Sequence, residues 1–116
     1  MSYNQGDIVL VPFPFTDQSD LKTRPAIIIS NSRVNDSNDV ICVQQTTQES
    51  TGELVSEISS LHVDEPFRPP HHHQYVICRK VLVIEKNKII RKINSVNDDK
   101  LREIIETVQL AIEYGV

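Results

Sequence analysis

The hydrophobic period of this chain changes once, near Asn97, and that single change limits the folds open to it. Ahead of Asn97 the apolar residues come in short runs rich in valine and isoleucine. They span Asp7 to Phe13, Pro25 to Ser30, Val40 to Gln45, a weaker Leu54 to Ile58, Tyr75 to Ile84 and Ile89 to Ile93. Runs of this length bounded by Gly, Pro, Asn and Asp read as strands. After Asn97 the period lengthens: Leu101, Ile104, Ile105, Val108, Ala111 and Ile112 recur at three- and four-residue spacing, on one face of a helix. Asn97 is a suitable N-cap, Asp98 and Asp99 favour the first turn, and Gly115 suits the stop. About 17 residues at ~1.5 Å each predict a helix roughly 26 Å long. Short strands followed by one amphipathic helix predict a mainly β fold, a small barrel capped by that helix.

The intervening segments are built to turn. Pro12, Pro14, Asp17 and Asp20 make a loop, as does the Asn-, Asp- and Ser-rich stretch from Asn31 to Asp39. Thr46 to Gly52 is polar, and a turn centres on Asn87. Pro66, Pro69 and Pro70 predict an irregular surface segment from Glu65 to His73. A length of 116 residues predicts one compact domain, 1–116. Its modest core makes a homodimer plausible on size, because pairing buries more apolar surface. No run approaches the ~20 apolar residues of a membrane span. Met1 to Gln5 lacks the basic and apolar regions of a signal peptide, so the expected compartment is the cytoplasm. Cys42 and Cys78 are far apart, sit in apolar runs and lack zinc-site spacing, which predicts two buried reduced thiols.

Net charge is 12 − 16 = −4, which on its own disfavours a nucleic-acid binder. The distribution is less even. Between Tyr75 and Ile93 lie Arg79, Lys80, Lys86, Lys88, Arg91 and Lys92 against the single acid Glu85. From Gln48 to Glu65 every formal charge is acidic: Glu49, Glu53, Glu57, Asp64 and Glu65. An acidic protein can still offer phosphates a basic strip. Lysines that keep edge strands soluble explain the same pattern equally well.

Three stretches carry candidate chemistry. In Lys22-Thr23-Arg24-Pro25, the proline holds Arg24 in extended geometry at the mouth of a buried strand, with Lys22 on the same strand face. A guanidinium held there can grip two phosphate oxygens. It can equally cap strand-end carbonyls or pair with Asp17 or Asp20. In Gln44-Gln45-Thr46-Thr47-Gln48, a buried strand leaves the core as uncharged hydrogen-bonding groups. These can orient a phosphate or a ribose 2′-OH, or form an ordinary polar loop. His71-His72-His73 raises a metal site, but alternation lets only His71 and His73 share an ion, so a solvated loop is the expectation.

Two of these stretches belong to a larger pattern. Gly6-Asp7-Ile8-Val9-Leu10-Val11-Pro12-Phe13-Pro14-Phe15-Thr16-Asp17, followed by Arg24-Pro25-Ala26-Ile27-Ile28-Ile29-Ser30, resembles the opening signature of the MazF/PemK toxin family. The likeness continues weakly through Val40 to Gln48 and returns at Ile90-Arg91-Lys92-Ile93. It implies an SH3-like barrel of the CcdB/MazF/PemK type, a homodimer, and an antitoxin partner that blocks an RNA groove. It also implies metal-independent cleavage of single-stranded RNA, with no cofactor, by attack of the 2′-OH. The products would be a 2′,3′-cyclic phosphate and a 5′-OH. The family's catalytic arginine falls on Arg24 and its threonine on Thr46, or on Thr47 with an offset of one. Lys22, Thr47, Arg79 and Lys80 are then candidate RNA contacts. Many PemK-like members carry Arg-x-Asp where this chain has Ile77-Cys78-Arg79. That departure leaves room for a catalytically weakened binding relative. A CcdB-like gyrase poison is the other alternative, disfavoured by Arg24-Pro25.

Overall fold

The computed structural model describes residues 2–12 and 22–116. Six strands form one antiparallel sheet: β1 (Asp7–Pro12), β2 (Thr23–Ile28), β3 (Asp39–Thr46), β4 (Val55–Ile58), β5 (Gln74–Glu85) and β6 (Arg91–Ser95). Their order across the sheet is β4-β5-β3-β2-β1-β6. The sheet curls into a half-barrel. Beyond β4, Val63 bridges to Val96 just past β6, and Asp64 N–H donates to the Ser95 carbonyl at 3.0 Å. Each predicted strand is present with its ends moved by a few residues. The loop holding Pro14, Asp17 and Asp20, and with it any pairing of those acids with Arg24, lies outside the described residues.

Alternation sends the side chains to two separate cores. On one face Val9, Val11, Ala26, Ile28, Val40, Cys42 and Ile84 pack with Tyr3 and Ile89. On the other, Ile8, Ile27, Val43, Val76 and Cys78 pack beneath the C-terminal helix α2 (Asp98–Ala111), which contributes Ile104 and Val108. Fully burying one such aliphatic side chain is worth about 1.5–3 kcal/mol, so these two layers supply most of the driving force. Gly6 lets the chain enter β1 beneath the helix. Its φ of +95° suits glycine, and an added Cβ would come within 3.3 Å of Leu101 Cδ2.

Helix α2 begins as predicted, with the Asn97 side chain accepting the Lys100 N–H at 2.9 Å. It ends at Ala111, after 14 residues, short of the stop expected at Gly115. The predicted face is also wrong at its end: Ile112 is 76% exposed and Ala111 lies in the open. A helix is held mainly by the packing of its apolar face, and past Val108 that packing has run out. The Asn31–Asp39 loop contains one short helix, α1 (Ser32–Asn35), capped by the Asn31 side chain. Both cysteines are free and buried. Burial pushes the Cys42 thiol up to about 12 and, with help from Glu103, the Cys78 thiol up to about 11. Thiols held protonated in this way are poor nucleophiles.

Candidate functional site

The first core does not run the full length of its face. Following β2 outward, Ile28 and Ala26 are fully buried, and the next residue on that side is Arg24, half-buried at the strand mouth. Following β3 the same way, Val40 and Cys42 are buried, then come Gln44 and Thr46. Ala26 pairs with Gln44, and carrying that register two residues outward sets Arg24 opposite Thr46. The end of the apolar layer is therefore a polar row. Among the described residues, Arg24 Nε and Gln44 Oε1 are both buried there with no hydrogen-bond partner. A buried polar atom left bare costs about 1–3 kcal/mol, which a ligand able to bond it would recover.

A bulge in β5 completes the row. Gln44 pairs with Ile77, but its neighbour Val43 pairs with Val81, so Cys78, Arg79 and Lys80 have no opposite residues on β3. Bulges re-aim side chains. This one turns Arg79 and Lys80 into a hollow of about 330 Å³ whose lining includes Gln44, Thr46, Gln48 and Ile77. The Thr46 hydroxyl sits at the rim and accepts the Gln48 N–H at 3.1 Å. Ile77 is an apolar wall of the hollow and only 5% exposed.

Other sequence candidates are not drawn together. Lys22 precedes β2 and is exposed. Thr47 lies past the end of β3 and lines a second hollow with Glu49, His73 and Tyr75. The basic strip is not one face. Lys92 pairs with buried Asp7 at 3.1 Å and Lys88 with Glu85 at 3.7 Å, while Lys86 lines a cleft beside Tyr3. Only Arg79 and Lys80 of the six reach the hollow at Thr46. His71 and His72 meet edge-on, and His73 instead bonds Glu57. The cleft beside Tyr3, of about 660 Å³, is larger than the Thr46 hollow but sits at the other end of β5. Its charged lining is Asp36, Glu85 and Lys86.

Sequence reading missed Lys100. Its stem lies in the face beneath α2, and its ammonium donates to the Glu57 carbonyl at 3.0 Å and to Glu103 at 2.8 Å. Glu103 also accepts the Ser56 hydroxyl at 2.5 Å. These two hydrogen bonds, from Lys100 and then Ser56, hold the Glu103 carboxyl below its ordinary range. A lysine at a helical core position gives no signal in sequence, since its charge argues for the solvent side.

A curled six-stranded antiparallel sheet with one C-terminal helix is the architecture of the MazF toxins. Solved structures with this fold include an endoribonuclease in complex with its cognate antitoxin from a mycobacterial species. It is 17% identical at a TM-score of 0.76, over 99% of each chain. Another is the MazE–MazF structure of Deinococcus radiodurans, 13% identical at 0.74 over 97% of each chain. A third is the toxin MazF-mt6 of Mycobacterium tuberculosis, 15% identical at 0.71, covering 92% of this chain and 96% of that one. Among curated proteins no relative matches the sequence. Residues 4–112 match the family of PemK-like, MazF-like toxins of type II toxin–antitoxin systems. The chain belongs to that family.

Proposed function

We propose that this toxin is an endoribonuclease that cuts single-stranded RNA through its own 2′-OH, without a metal, leaving a 2′,3′-cyclic phosphate and a 5′-OH. The observation that carries the reading is the polar row ending the first core, with Arg24 Nε buried, without a partner among the described residues, and set opposite Thr46 by the strand register. As the 2′-oxygen closes on phosphorus, charge builds on the phosphoryl oxygens. The Arg24 fork meets that charge from a strand mouth that proline keeps stiff. Thr46 orients the phosphate or the ribose, and Arg79 and Lys80 hold a flanking phosphate. A cognate antitoxin is the natural protein partner, as in the mycobacterial complex of the same fold. It would silence the toxin by covering this row. We also propose a homodimer and a cytoplasmic site of action.

The test is single-turnover cleavage of a long RNA in EDTA. Wild-type protein is expected to cut, and Arg24→Ala to lose about 10²–10³ in rate with an unchanged unfolding midpoint, the cost of losing one oxyanion-type donor. Arg24→Ala cutting at the wild-type rate would sink the assignment. Activity that EDTA abolishes and zinc or magnesium restores would overturn the metal-free reading.

A further inference from the structure

The reaction proposed above needs a proton acceptor, and among the described residues the hollow at Thr46 supplies none. Among the described residues its polar lining is amides, hydroxyls and cations: Gln44, Thr46, Gln48, Ser50, Arg79 and Lys80. The missing group lies one row further out. Thr46 pairs with Tyr75 on β5, and Tyr75 pairs with Glu57 on β4, so the three side chains share a face. Glu57 Oε1 lies 2.5 Å from His73 Nδ1. His73 is two residues, roughly 7 Å, along the chain from Tyr75. Its side chain is 47% exposed, which leaves the ring edge open to an incoming nucleotide.

We propose that His73, oriented by Glu57, is the general base for the 2′-OH; this rests on the ribonuclease reading. The Glu57 carboxylate accepts Nδ1–H and so leaves the lone pair on Nε2, a base held in one tautomer by a third group. As the O2′–P bond forms, the 2′-OH proton passes to Nε2 and Glu57 stabilises the resulting imidazolium. The P–O5′ bond breaks, the leaving 5′-oxygen takes a proton from solvent water, and the imidazolium returns its proton to water. Glu57 is a positioning residue, itself fixed from behind: its carbonyl accepts the ammonium of buried Lys100. The other groups facing His73 are Glu49, Arg68, His72 and Tyr75 around the hollow it lines. Beyond these stands His62, whose titration the field of His73 helps to lower. Burial first, then Glu57 and Glu49, raises the Tyr75 phenol, so it stays a neutral hydroxyl between His73 and Thr46.

The experiment is single-turnover RNA cleavage from pH 5 to 9 by full-length wild type, His73→Ala and Glu57→Gln, with and without added imidazole. His73→Ala is expected to slow cleavage about a hundredfold or more and to erase the acid limb of the profile, with imidazole restoring part of the rate. Glu57→Gln should keep that limb but slow cleavage, because the imidazole loses the carboxylate that fixes its tautomer and steadies the imidazolium. Wild-type rate and profile in His73→Ala, while Arg24→Ala is inactive, would overturn the base and leave the ribonuclease standing. A slow His73→Ala that keeps its acid limb and ignores imidazole would reduce the pair to a structural contact. No cleavage by wild type would remove both readings together.

Discussion

The two faces of the sheet end differently. Beneath α2, polar groups that enter the core are bonded to one another: Lys100 to Glu57 and Glu103, and Ser56 to Glu103. At the open end of the opposite face, Arg24 Nε and Gln44 Oε1 are buried and have no partner among the described residues. Gln45, on the helix side, falls between: its amide N–H donates to Gln74 at 2.7 Å while its own oxygen is unpaired. A satisfied network stabilises the fold, and an unsatisfied one waits for a ligand. Stability and chemistry are thus assigned to opposite sides of one sheet. Substitutions on the two sides should separate cleanly.

The largest effect belongs to the covered side. Ile104→Ala deletes a fully buried side chain and is expected to cost about 2–5 kcal/mol in denaturant unfolding. Protein still folded should keep its rate per molecule; a specific loss of activity would mean that the two faces are coupled. Thr46→Ala comes next, on the open side. Losing a hydrogen bond to a charged phosphate is worth about 1.5–3 kcal/mol, or roughly 10- to 100-fold in single-turnover rate. Its unfolding midpoint should not move.

Arg79→Ala should be milder. Removing one phosphate contact is expected to lower the slope of log affinity against log salt by about 0.7 for single-stranded RNA, with a smaller change in the chemical step than Arg24→Ala brings. Unchanged affinity at all salt concentrations would make Arg79 a solubility residue and shrink the site to Arg24 and Thr46.

The smallest effect is a pH dependence of stability on the covered side. Burial and then the charge of Lys100 lower His62 from its ordinary 6.5, while its Nδ1 accepts the Ser59 N–H at 3.0 Å. The unfolded chain then binds a proton more readily than the folded one, so stability falls as pH drops below about 6.5. Glu103, held below 4.5 by Lys100 and Ser56, adds a second loss as pH falls below that value. Thermal midpoints measured from pH 8 to pH 3 should fall in these two stages. His62→Asn should remove the first, and a first stage that survives it would point to another group.

Much of this molecule was legible before folding. The strands followed from β-branched runs between turn formers, and the helix from its period and its Asn97 cap, because both are local properties of the backbone. The Arg24-Pro25 start was legible for the same reason, since proline constrains the residue before it wherever the chain goes. Pairing decided what locality could not. Thr46 and Thr47 are equivalent in sequence, yet Thr46 ends β3 and shares a hollow with Arg79, while Thr47 lies past the strand and lines the hollow of His73 and Tyr75.

The β5 bulge shows where sequence stops. Val76, Cys78, Leu82 and Ile84 fall on every second position, interrupted only by Lys80, and read as one face of one strand. In the fold, Val76 and Cys78 belong to the core under α2, and Leu82 and Ile84 to the other. The residues spanning the switch, with no partners on β3, are the ones that carry Arg79 and Lys80 into the hollow. Alternation records that every second residue is buried; which side of the sheet buries it depends on the neighbouring strand, and that belongs to tertiary structure alone.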